Sequence, residues 1–329
     1  MTAASPPLWG EPPAGGDALW LETGDGVRLR AARWHALAPH RGAVLMATGR
    51  AEYLEKTFGW AQAFRQRGFA VVAFDWRGQG LSDRLLTDRL PHAGRRGWIG
   101  SFAAYQRDLD AVRPLLDEAA AGAPRVVLGH SMGGLALLRL LRREPEAAEA
   151  AILSAPMLGL ALGRWANVAG RAVSRAAKLA GYGARWAVSC DARTGAERGF
   201  DQNGLTSDRA VWQAQAAMLE AHPELAIGGA TWGWLDAAFR EMRAMARGRA
   251  GWLATPTLVL QAGDDPVVSN AAIDALAERE PMAEVAVLRG ALHEPMSEGP
   301  AVQAAAWRAI DGFLDRAVPQ AAEARISSA

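Results

Sequence analysis

Val126-Val127-Leu128-Gly129-His130-Ser131-Met132-Gly133-Gly134 is an apolar run that passes through a glycine–serine–glycine turn into a helical pattern reaching Arg143. The order is strand, G-x-S-x-G, helix. A serine that attacks a carbonyl needs a sharp turn that lifts its hydroxyl clear of a sheet. Gly129 and Gly133 remove the side chains that would collide where strand and helix nearly touch. The Met132 N–H, at the helix start, then points at a developing oxyanion. Such a pentapeptide also arises by chance, but the flanking strand and helix favour a nucleophile at Ser131.

A serine hydroxyl is a weak nucleophile at neutral pH and needs a base, itself oriented by an acid. For this turn the chain order is serine, then Asp or Glu, then histidine. Two histidines follow Ser131. His222 precedes Pro223 inside a helical stretch and reads as a surface or packing residue. His293 follows the last expected strand, at the carboxyl end where ligands gather in open parallel sheets. For the acid, Ala262-Gly263-Asp264-Asp265-Pro266 offers two carboxylates that spacing alone does not separate. A second oxyanion donor is expected after the strand Ala43–Ala47, where Thr48-Gly49-Arg50 leaves the Arg50 N–H as the candidate.

Outward from this centre, apolar runs at Ala43–Ala47, Ala70–Phe74, Arg125–Leu128, Ala151–Ser154, Thr257–Gln261 and Glu284–Leu288 alternate with helical patterns at Thr57–Arg67, Ser131–Arg143 and Ala271–Glu280. Strands apolar throughout, alternating with helices, imply an α/β fold with a mostly parallel sheet covered on both faces. Ala18–Glu22 and Val27–Trp34, joined by Thr23-Gly24-Asp25-Gly26, read as a hairpin. From about Pro156 to Ala254 no strand is legible, only helical pieces dense in tryptophan, so a helical cap is expected over 156–254. The expected organisation is a flexible tail over 1–17, core over 18–155 and 255–316, and a C-terminal tail over 317–329.

Composition narrows the function. The chain has 329 residues, 50% hydrophobic and 22% charged, with 36 Lys and Arg against 35 Asp and Glu, a net charge of +1. That is globular usage, without the basic excess of a nucleic-acid binder. One cysteine, Cys190, allows neither an internal disulfide nor a CxxC site, and no HExxH-type metal cluster occurs. The first residues lack a signal-peptide pattern, and the longest apolar stretch, Ala150–Gly163, is too short to span a bilayer. A cytoplasmic chain without metal or cofactor is expected; oligomeric state is left open.

These residues together resemble the α/β-hydrolase superfamily, and within it the bacterial lysophospholipase and monoacylglycerol lipase branch. Besides the serine turn, Thr48-Gly49-Arg50-Ala51-Glu52-Tyr53-Leu54-Glu55-Lys56, Phe74-Asp75-Trp76-Arg77-Gly78-Gln79-Gly80-Leu81-Ser82, Leu205-Thr206-Ser207, and His222-Pro223-Glu224-Leu225 followed by Gly229-Ala230-Thr231-Trp232 carry the resemblance. It implies an α/β-hydrolase fold and a carboxylic-ester hydrolase acting through an acyl-enzyme on a lipid ester. The family pattern selects Asp265, before Pro266, as the acid. Relatives often have His-Gly where this chain has Thr48-Gly49, and the bulky Arg50 side chain is expected to meet a phosphate or a hydroxyl-rich head group. Rival expectations are a carboxylesterase, a proline-iminopeptidase-like peptidase, or a non-catalytic lipid-binding protein. Met157, Leu158, Leu160, Leu162, Trp165, Trp212, Met218, Trp232 and Trp234 are expected to line an acyl tunnel or a membrane-facing lip, with cap-to-core packing as the alternative for each. Peripheral membrane contact through the cap is a further expectation. The positive run Arg84, Arg89, His92, Arg95 and Arg96 reads as a solvated loop, or as a surface for anionic head groups.

Overall fold

The computed structural model describes residues 4–86 and 92–319; Arg89 and most of the expected C-terminal tail lie outside the described residues. Eight strands form one sheet: β1 (Gly16–Glu22), β2 (Arg28–Trp34), β3 (Gly42–Ala47), β4 (Phe69–Phe74), β5 (Arg125–His130), β6 (Ala150–Ser154), β7 (Thr257–Ala262) and β8 (Ala283–Leu288). Their spatial order is β1-β2-β4-β3-β5-β6-β7-β8. From β4 to β8 all pairs are parallel, while the β1–β2 hairpin joins β4 antiparallel. The inner strands Gly42–Ala47, Phe69–Phe74 and Thr257–Ala262 are buried at every residue, as a sheet covered on both faces requires. The edge strands β1 and β8 are only half-buried.

Helices α1 (Phe58–Gln66), α2 (Ala103–Ala120), α3 (Met132–Arg143), α7 (Asn270–Arg279) and α8 (Pro300–Ala317) belong to the core, and α4 (Arg164–Leu179), α5 (Arg209–Ala221) and α6 (Trp232–Ala246) to the excursion between β6 and β7. Asp208, Thr231 and Ser269 cap α5, α6 and α7 by accepting backbone N–H bonds. In the excursion the only β pairing among the described residues is two isolated bridges, Leu160 with Val268 and Trp186 with Thr231.

Two features differ from the sequence reading. Neither α2 nor α8 was among the expected helices; α2 runs through Pro114, which interrupts its pattern, yet buries Tyr105, Leu109, Val112 and Leu116 on one face. The expected loose tail is instead fastened from residue 4 onward. Trp20 Nε1 donates to the Ala4 carbonyl, Trp34 Nε1 to Pro13 and Arg65 to Ala14, while Trp9 stacks on His222 with ring centres 4.1 Å apart.

Candidate active site

Ser131 sits between the end of β5 and the start of α3 with φ 49° and ψ −113°, a conformation that a non-glycine residue adopts only when its surroundings enforce it. The enforcement comes from close packing. A Cβ on Gly133 would lie 2.1 Å from the Ala47 carbonyl oxygen of β3, and one on Gly129 would lie 2.7 Å from the Gly134 nitrogen. The turn is pinned further by the Ser131 N–H donating to Ser154 of β6 and the Met157 N–H donating to the Ser131 carbonyl.

His293 lies in the loop after β8, with Nε2 2.9 Å from Ser131 Oγ and Nδ1 2.8 Å from Asp265 Oδ2. An ionised carboxylate only accepts, so Nδ1–H donates to Asp265 and Nε2 accepts from the serine hydroxyl. Asp265, in the loop after β7, also accepts the Val267 and Val268 N–H groups at 2.8 and 3.0 Å. Burial works to raise its pKa, but the His293 hydrogen bond and charge and the two N–H groups outweigh it and hold the carboxyl below its usual value. Asp264 is exposed, and His222 is stacked on Trp9 instead. The cap holds the histidine loop in place: the His293 N–H donates to Gly204 and the Glu294 N–H to Leu205.

The loop after β3 presents three consecutive N–H groups. Gly49 donates to the Glu52 carboxylate, and Ala51, at φ 63°, donates to Gln79 Oε1. The Arg50 N–H between them is left without an acceptor among the described residues, and the Met132 N–H at the start of α3 lacks an intrahelical partner. These are the two donors expected from the sequence.

The Arg50 side chain reaches across to the cap. Its Nη2 donates to the Gly228 and Gly229 carbonyls of the cap at 2.8 and 2.5 Å, and the guanidinium lies 5.1 Å from the Trp234 ring. The cation therefore ties cap to core, and the residue also lines the cavity at Ser131. The basic run does similar work: Arg84 donates to Glu224, Arg95 pairs with Glu197, and Arg96 stacks over Trp186 and donates to Ala184.

Of the expected lining residues, Trp212 borders the cavity at Ser131 and the others lie elsewhere. The cavity at Ser131 has a volume of about 100 Å³ and is lined from the cap by Leu205, Trp212, Leu219 and Ile227. Trp234 is buried against the core, donating to the Tyr105 hydroxyl at 3.1 Å. Met157 is buried beneath the serine turn, Leu158 floors a separate cavity, and Trp232 starts α6 away from this one. Tryptophan spacing marks a buried helix face without saying which neighbour covers it.

A cluster that the sequence reading missed adjoins the site. Lys56 Nζ bridges Glu52 (2.8 Å) and Glu294 (2.6 Å), and Gln215 of α5 donates to the other Glu294 oxygen at 3.1 Å. Burial works to lower the Lys56 pKa, yet the two carboxylates raise it overall; burial works to raise that of Glu52, and Lys56 with its other partners lowers it. Glu52, His130 and Glu294 bring ligand atoms within 4.8 Å of one another, the one such group among the described residues. Lys56 already neutralises both carboxylates, and burial lowers the pKa of His130, whose Nδ1–H donates to Ser154. The group fits a structural charge cluster better than a metal site.

The profile of the serine aminopeptidase S33 family of hydrolases matches residues 38–300. Escherichia coli lysophospholipase L2 is 31% identical over 301 residues, covering 89% of this chain and 85% of that protein. The chain belongs to this α/β-hydrolase family. A monoacylglycerol lipase of Mycolicibacterium smegmatis is 31% identical over 131 residues, 40% of this chain and 43% of that one. Among solved structures, a soluble variant of the Saccharomyces cerevisiae monoglyceride lipase superposes with a TM-score of 0.71 at 19% identity, covering 91% and 94% of the two chains. A Bacillus coagulans carboxyl esterase superposes at 0.73 and 16%, covering 93% and 100%. These two likenesses establish the fold. Family membership makes the chain an enzyme, a serine ester hydrolase of the lysophospholipase and monoacylglycerol lipase-like branch.

Proposed function

We propose that the chain cleaves the carboxylic ester of a lysophospholipid or monoacylglycerol through an acyl-enzyme on Ser131. The observation that carries this reading is the unbroken hydrogen-bond chain Ser131–His293–Asp265 at the strained turn. His293 Nε2 takes the Ser131 proton as Oγ attacks the ester carbonyl carbon. The Arg50 and Met132 N–H groups hold the oxyanion, and Asp265 keeps the imidazole oriented and stabilises its cation. The tetrahedral intermediate collapses, its alcohol leaving with the proton from His293. Water, deprotonated by the same histidine, then attacks the acyl carbon and releases the fatty acid, returning the proton to Ser131.

The names of the E. coli and mycobacterial relatives support a lipid ester as substrate. A cavity of about 100 Å³ is well below the ~300–1,000 Å³ of ordinary ligand pockets, so a long acyl chain enters by displacing the cap. We place the protein in the cytoplasm, with peripheral contact of the cap at the inner face of the membrane. No described helix is long and apolar enough to cross a membrane.

The test is fatty-acid release from long-chain lysophosphatidylcholine, matched monoacylglycerol and a short-chain ester, with Ser131→Ala as the blank. Release from either lipid supports the reading and selects the head group. Cleavage of the short ester alone keeps the mechanism and removes the lipid substrate. Turnover of an N-terminal proline amide in place of all three esters would return the chain to the aminopeptidase activity for which its family is named.

A further inference from the structure

A second cavity, which the chemistry at Ser131 does not use, opens between α4 and α6 with a volume of about 660 Å³. Its floor is Leu158, Leu160, Phe239 and Met242; around it stand Arg164 and Arg171 of α4 and Arg243 and Arg247 at the end of α6. Among the described residues none of these four arginines is in an ion pair. The nearby α6 carboxylates are buried and already engaged, Asp236 by Lys178 and Arg240 and Glu241 by Arg139.

The surface around the cavity has the same two-part character. From Leu158 to Cys190 the chain carries five basic residues and no acidic one. Leu162, Trp165, Val168, Val173, Leu179 and Tyr182 are exposed there, Trp165 by 79% and Leu179 by 70%. Single exposed apolar residues need no explanation, but a group on one helix and the turns at its two ends marks an interaction surface. An apolar face with cations and no anions is the composition of a helix that lies in a lipid interface. An anionic phospholipid supplies both complements in one molecule: phosphate oxygens for the guanidinium forks, and glycerol and acyl carbons for the floor.

We propose that the groove between α4 and α6 binds the head of an anionic phospholipid and seats the cap on an anionic bilayer. The proposal deepens the lipid-hydrolase reading and rests on it for its purpose, since a docked cap brings the Ser131 cavity to the surface where lipid esters reside. The binding itself uses no residue of the Ser131–His293–Asp265 chain.

The experiment measures binding of the full chain, as Ser131→Ala so that no lipid is consumed, to vesicles of phosphatidylcholine alone and of phosphatidylcholine mixed with phosphatidylglycerol. Tighter binding to the mixed vesicles, weakened by added salt, is expected. Each arginine at an anionic surface contributes about fivefold, so Arg171→Gln/Arg243→Gln loses about 25-fold. Arg289→Gln/Arg308→Gln, with the same charge change on the exposed core surface, keeps the affinity. Equal binding to both vesicle types overturns the proposal, and so does an equal loss in the two double variants. A salt-insensitive dimer that Trp165→Ser dissociates, without vesicle binding, makes a second copy the occupant and also overturns it. Turnover of a water-soluble short ester by the unsubstituted protein is measured alongside. Its absence sinks the hydrolase reading while the vesicle result stands.

Discussion

At Ser131, backbone strain, a hydrogen bond to His293 and the close approach of β3 meet in one residue. Ser131→Ala is expected to lower kcat by about 10⁶-fold with an unchanged melting temperature, checked by ester turnover and calorimetry side by side. Asp265→Asn is expected to cost about 10⁴-fold, because the amide favours the wrong imidazole tautomer. The carboxyl of Asp265 titrates below its unfolded value, so its contribution to stability is fully present above about pH 4 and is lost as the pH falls through the lower folded value. Acid titration of unfolding should therefore show a steeper loss below about pH 4 in the native protein than in Asp265→Asn. A parallel pair of curves would detach Asp265 from the network. At Gly133 the obstacle is steric: with the Ala47 carbonyl 2.1 Å from a new Cβ, Gly133→Ala should destabilise by about 3 kcal/mol in denaturant unfolding, the upper end for overpacking.

At the scale of elements, the loops after β3 and β8 are locked to each other and to α5 through Glu52, Lys56, Glu294 and Gln215. Lys56→Met strands two buried carboxylates and should cost about 3–5 kcal/mol, read from the shift in the denaturant midpoint. Because Glu52 also holds the Gly49 N–H, the same variant should lower kcat more than it changes KM; an unchanged kcat would confine the cluster to stability. The strands and the core helices flanking the serine turn were legible because inner strands are apolar throughout and helices keep their period. α2 was hidden by Pro114, which a packed amphipathic helix tolerates. The Lys56 cluster was hidden for a different reason. Glu52 and Lys56 are one helical turn apart and readable as a pair, but Glu294 reaches them only through the sheet order. Ser131, His293 and the Asp264–Asp265 pair stood out because each follows a strand at its carboxyl end. Trp234 misled because burial against Tyr105 and exposure to a ligand leave the same mark on a sequence.

At the scale of the whole molecule, the cap is fastened to the core by side chains reaching for backbone carbonyls: Arg50 to Gly228 and Gly229, Arg84 to Glu224, Arg96 to Ala184. Removing the first of these with Arg50→Ala should cost about 2 kcal/mol and speed hydrogen exchange around residues 226–231, with exchange in β5 and β6 unchanged. The strand order has a consequence of another kind. β5, β6, β7 and β8 join the sheet in the order in which a ribosome makes them, each beside the one before. The serine turn is complete once β5 and α3 have left the exit tunnel, but Asp265 arrives with β7 and His293 only after β8. An unfinished chain thus carries Ser131 without the two partners of its hydrogen-bond chain, which forms only once the loop after β8 has emerged.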